Sequence, residues 1–133
     1  MDWPRSGRPP GAWTLCGIPF HVDASWLVIA ALLTWSLGAG YFPAQYPSLS
    51  PSVHWLMGLT ASLLLFVCVL LHELGHALTA RRYGIPVAGI VLFIFGGVAQ
   101  IARDPTRPAV ELAVTLAGPL VSVCLAGACF GIA

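Results

Sequence analysis

The sequence predicts a mainly α, polytopic membrane protein with about three transmembrane helices and a membrane-embedded β element between the second and third. Composition gives the class: 58% of the 133 residues are hydrophobic and 8% are charged, against about 25% charged in soluble domains. Run length gives the helices, because three apolar stretches exceed the roughly 18 residues that a spanning helix needs. Texture gives the β element, because a fourth stretch of similar length is broken by glycine and proline.

Residues 1–22 carry Arg5 and Arg8 among prolines and glycines, and no small-residue cleavage site follows promptly. They are expected to form a short cytoplasmic tail with no removed signal peptide. The first helix is expected over Ala24 to Phe42 and the second over Val53 to Ala80. Between Tyr83 and Ala102 the chain holds Gly84, Pro86, Gly89, Gly96 and Gly97 around the core Ile90-Val91-Leu92-Phe93-Ile94-Phe95, whose β-branched and aromatic side chains favour strands. The third helix is expected over Leu112 to Ala133. In it Gly118, Ser122 and Ala126 fall four apart as a small-residue stripe for close helix packing, and Pro119 should bend the axis. One unit over 1–133 accommodates all of this.

Arginine placement orients the chain, since basic residues near membrane ends concentrate on the cytoplasmic side. If 83–102 spanned, Arg81 and Arg82 would face one compartment and Arg103 and Arg107 the other. If it enters and returns as a re-entrant hairpin, all four share the cytoplasmic side with Arg5 and Arg8, and the loop from Tyr41 to Ser52, free of Lys and Arg, lies outside. Non-helical backbone at that depth must line protein or a watery cavity, so the hairpin is expected beside a site. Every basic residue is an arginine and net charge is +1, which leaves no broad cationic surface for nucleic acid.

The site is expected at His72-Glu73-Leu74-Gly75-His76. Glu73 is the only formally charged side chain between Val53 and Ala80, and a carboxylate at bilayer depth costs about 2.5–3.5 kcal/mol on insertion scales. Residues four apart on a helix differ by about 40° around the axis, so His72 and His76 project together as imidazole ligands, for which Zn2+ is the natural guest. Glu73 lies about 60° from His76 on the same side, placed to activate water rather than to ligate. The competing reading is a histidine pair satisfied by helix–helix hydrogen bonds. By helix rise the two imidazoles sit about 13 and 7 Å from the cytoplasmic boundary at Arg81, so water must reach them from that side.

Other polar residues have plainer readings. Cys16, Cys68, Cys124 and Cys129 form no Cys-x-x-Cys pair and are expected to be packing residues. Asp23 and Asp104 are expected to cap helix or loop ends, and His21 and His54 to be interfacial.

Four motifs in order, Gly17-Ile-Pro-Phe-His-Val-Asp-Ala-Ser-Trp26, His72 to His76, Leu92-Phe-Ile-Phe-Gly-Gly-Val-Ala-Gln100 and Ala117-Gly-Pro-Leu-Val-Ser122, resemble the compact prokaryotic branch of the site-2 protease family of intramembrane zinc metalloproteases. The resemblance implies a membrane-embedded β element at 92–100 and a zinc endopeptidase of the prokaryotic inner membrane. Its implied partners are the lipid bilayer and a single-pass membrane protein substrate, such as a membrane-tethered transcriptional regulator; the sequence leaves a homo-oligomer open. Glu73 would be the catalytic base, and His72 and His76 the metal ligands. A strand near Gly96 and Gly97 could hold the unwound substrate by edge pairing, or those glycines could simply make a tight turn. Ser122 sits where relatives often carry Ser or Asn; it faces the site or bonds back to its own helix.

The family completes its zinc site with an aspartate in a later Pro-x-x-Pro-x-Asp-Gly-like stretch, and no such stretch occurs before Ala133. The expectation is therefore the amino-terminal part of a protease core, truncated at its C-terminal end. The rival is a catalytically inactive family member that acts as a membrane binding protein.

Overall fold

The computed structural model describes residues 13–101 and 107–132. Arg5, Arg8, Arg103 and Asp104 lie outside the described residues. Three helical stretches, Ser25–Gln45, Pro51–Arg82 and Pro108–Gly131, are long and apolar enough to cross a membrane.

The first stretch is compound. Helix α1 (Ser25–Ser36) passes into a π-helical turn, Leu37–Tyr41, and then into α2 (Phe42–Gln45), so the helical path runs three residues past the predicted end at Phe42. Asp23 anchors its start: the carboxylate accepts the Ser25 backbone N–H at 2.9 Å, and the Ser25 hydroxyl and N–H hold the Asp23 carboxyl below its ordinary pKa. The Asp23 N–H donates to Leu92 O at 2.8 Å and the Ile94 N–H to Ser25 Oγ at 3.2 Å, tying the entry of α1 to the hairpin.

Helix α3 (Pro51–Arg82) extends the predicted second helix by two residues at each end. His54 lies in the first turn of α3. It is 5% exposed, and its Nε2 bonds with Tyr46 O at 2.9 Å, so it closes the loop that enters α3. Ser62 bonds to Ala30 O at 3.3 Å and Trp26 packs edge-on against Phe66, which sets α1 antiparallel to α3.

The hairpin predicted over 83–102 is present as β3 (Val87–Phe93) and β4 (Gly96–Ile101), paired antiparallel around the Ile94-Phe95 turn. Residues 13–22, assigned above only to a tail, contribute two further strands, β1 (Trp13–Leu15) and β2 (Ile18–Val22). The sheet order is β1-β2-β3-β4, with β2 and β3 parallel and Phe20 opposite Ile90. Ile18, Ile90 and Leu92 of the sheet bury against Leu74 and Ala77 of α3 and form the core.

Helix α4 (Pro108–Ile132) runs continuously through Pro119 and packs antiparallel to α3. Two residues of the predicted stripe, Gly118 and Ser122, meet α3. Val114, Ala117, Gly118 and Val121 turn inward, and a Cβ on Gly75 would stand 2.9 Å from Val121 Cγ2 and 3.0 Å from Ala117 O. Ala126 is exposed.

These antiparallel contacts place β1, β2, the entry of α1, the end of α3 and the start of α4 at one end of the molecule. Arg81 and Arg82 therefore share an end with Arg107, the arrangement that a hairpin entering and returning on one side requires. Arg81 Nη1 donates to Cys16 O at 2.8 Å, fastening the strand pair to the same end.

Candidate active site

Helix α3 presents two working faces. Leu70, Leu74 and Ala77 meet the sheet, while His72 and His76 meet α4, and Glu73 lies between these faces against β4. The spacing that put both histidines on one side of the helix has brought them together: their Nε2 atoms are 3.1 Å apart and their rings cross at 76°.

Each ring is held from behind by α4. His76 Nδ1–H donates to Val114 O at 2.7 Å; a carbonyl only accepts, so this nitrogen carries the proton and Nε2 keeps its lone pair. His72 Nδ1 lies 2.8 Å from Ser122 Oγ. Ser122 is therefore bonded across the helix interface, not back to its own helix. A hydroxyl can donate or accept, so the second Nε2 is also free to present its lone pair whenever Ser122 accepts.

Two imidazoles at tetrahedral corners about 2.0–2.1 Å from zinc would hold their nitrogens about 3.3–3.4 Å apart, so the observed spacing fits two ligands of one ion. Among the described residues no group of three His, Cys, Asp or Glu side chains converges on a metal position. Asp23 stands at the start of α1, occupied with Ser25. His21 lies on β2 and His54 in the first turn of α3, bonded to the entry loop and away from the pair.

Glu73 accepts the Ala99 N–H on Oε2 at 3.0 Å. Gly97 makes this approach feasible, since a Cβ there would stand 2.6 Å from Glu73 Cγ. Gly96 differs: it follows the hairpin turn with φ +127°, and a Cβ would meet nothing within 4 Å. The two glycines expected near a substrate thus separate into a turn residue and a seat for the acid.

Sequence reasoning missed the part that Gly118 plays. A Cβ at this position would overlap His76 Nε2 and stand 2.7 Å from His72 Nε2, so the imidazole pair is packed onto bare helix backbone. The available signal was the spacing of Gly118 and Ser122, which puts both residues on one face of α4.

Long apolar helices, one of them carrying His-Glu-x-x-His beneath a small sheet, define a membrane protein of the metalloprotease class. The chain belongs to peptidase family M50, whose model matches residues 60–133, and this is the site-2 protease family that its motifs resemble. It is 46% identical over 112 residues to a protein of Synechocystis sp. that bears a zinc metalloprotease name, an alignment covering 84% of this chain and 29% of that one. A Mycobacterium tuberculosis protein, also named as a zinc metalloprotease, is 37% identical over 117 residues, 88% of this chain and 29% of its own length. The zinc metalloprotease of Methanocaldococcus jannaschii is 48% identical over 60 residues, 45% of this chain and 17% of that one. The chain spans less than a third of the length of these curated relatives. No solved structure matches it.

Proposed function

We propose that the protein to which this chain belongs is an intramembrane zinc endopeptidase that hydrolyses peptide bonds in or near transmembrane segments of membrane-tethered proteins, single-pass regulators of transcription among them. The observation that carries this reading is the pair of Nε2 atoms 3.1 Å apart on an apolar helix with a carboxylate one residue away. His72 and His76 would hold the zinc, with a third protein ligand from outside the described residues. When bound, zinc supplies Lewis acidity to water and to the scissile carbonyl.

The chain's own groups supply the rest. Glu73 takes a proton from the attacking water and delivers it to the departing amine nitrogen, which turns a poor leaving group into a neutral one. The outer edge of β4, which no strand covers among the described residues, runs beside Glu73 and would offer backbone groups to an extended substrate, which matters because a helical substrate conceals its carbonyls in its own hydrogen bonds. With the arginine-bearing end cytoplasmic, the protein is a multi-pass protein of a prokaryotic inner membrane that draws its water from that side.

The test uses full-length protein reconstituted with single-pass membrane proteins from its own organism. Chelation should abolish cleavage and stoichiometric zinc should restore it. Cleavage that survives complete zinc removal would refute the proposal.

Ser122 offers a finer check. Ser122→Ala removes the partner of His72 Nδ1 and should weaken zinc binding by about 10–100-fold, while Ser122→Asn, able to accept the same proton, recovers much of it. Competition titration with a chromophoric chelator reads the difference, and equal affinity in Ser122→Ala would remove this residue from the site.

A further inference from the structure

Strand β4 ends the sheet, with no strand on its outer side among the described residues. In its antiparallel pairing with β3, alternate N–H groups point to that outer side, and the Ala99 N–H is one of them, because it donates to Glu73 Oε2 rather than to β3. The Glu73 side chain reaches this amide by crossing Gly97 at a separation that only a missing Cβ permits. An extended peptide adding to β4 at this position would need the same N–H.

We propose that Glu73 and the incoming peptide compete for the Ala99 N–H, so that the side chain is a clasp closing the edge of β4 until an unwound segment displaces it. The proposal rests on the reading of the site as a peptidase, and it adds that substrate capture and release of the base are one event. A membrane helix that does not unwind presents no free carbonyl to Ala99 and leaves the clasp shut. The base is thereby freed toward the site only when an opened peptide bond lies next to it.

The test measures binding without turnover. Full-length protein in detergent is titrated with a fluorescently labelled single-pass peptide, an alanine-leucine helix interrupted at its centre by Asn-Gly, and anisotropy gives Kd. Glu73→Ala should bind about tenfold tighter than wild type, the factor that about 1.4 kcal/mol represents. That gain should vanish in an Ala99→Pro background, where the contested N–H is gone. Proline suits this position because an outward N–H on an edge strand serves no ladder bond.

Should Ala99→Pro fail to fold, Gly97→Ala gives the second arm. Its new Cβ pushes Glu73 off the edge, so it should tighten binding in the wild-type background and change nothing when combined with Glu73→Ala. Equal or weaker binding by Glu73→Ala, a gain that persists with Ala99→Pro, or no binding by any variant overturns the clasp. Zinc content and cleavage by the wild type are scored separately, so loss of the peptidase reading leaves the binding comparison interpretable.

Discussion

Glu73→Gln should lower peptide cleavage by about 10²–10⁴-fold, the range over which a positioned general base contributes, with zinc content unchanged. The substitution keeps shape and leaves a side-chain oxygen to accept the Ala99 N–H, which lies 3.0 Å from Glu73 Oε2, so the contact with β4 is preserved. What it removes is proton affinity. The His72 and His76 rings, which would bind the ion through Nε2, are held at Nδ1 by Ser122 and Val114, and neither contact involves Glu73. Steady-state cleavage and metal analysis on one preparation separate the outcomes. Loss of zinc together with activity would make Glu73 a ligand, and retained activity would place water activation elsewhere.

The placement on which that separation would rest was legible in the sequence because it depends only on helix periodicity. Residues 72 and 76 must share a face, and residue 73 must lie beside them, whatever packs around the helix. The hairpin was legible for a related reason: glycines and a proline punctuate an otherwise β-branched, aromatic run, and no continuous helix accommodates that pattern well. Its two-residue turn at Ile94-Phe95 follows from the pairing of Phe93 with Gly96.

The rest depends on contacts between distant residues. Strands β1 and β2 are short and contain Pro19, and β2 finds its partner β3 about 70 residues further along, so no local pattern announces the pair. The direction of Ser122 was equally hidden. A serine in an apolar helix bonds to its own backbone or to a neighbour, and only the position of His72 Nδ1 at 2.8 Å decides between them. The partner of His54 left no local signal either, because Tyr46 O is a backbone carbonyl and every residue supplies one. Of the small-residue stripe, Gly118 and Ser122 meet α3 as expected and Ala126 is exposed. Close approach of α4 to α3 runs through Ala117 and Val121 against Gly75, and through Gly118 against the two imidazoles.

That last contact carries the second large expected effect. Gly118→Ala should reduce zinc affinity by at least about 100-fold and lower thermal stability, although it adds one methyl group to a helix that would otherwise gain from alanine. The new Cβ would occupy the space of His76 Nε2 and stand 2.7 Å from His72 Nε2, so the rings must turn or α3 and α4 must part. Either response breaks the Val114 and Ser122 contacts that aim both rings, and overpacking of this kind costs about 1–3 kcal/mol. Gly127→Ala is the internal control: it lies on the same helix, a Cβ there meets nothing within 4 Å, and zinc affinity and stability should be unchanged or slightly improved. Isothermal titration with zinc and thermal melts of the full-length variants give both readouts. If Gly118→Ala and Gly127→Ala bind zinc alike, the ion does not sit where the two imidazoles converge, and the metal centre belongs elsewhere in the protein.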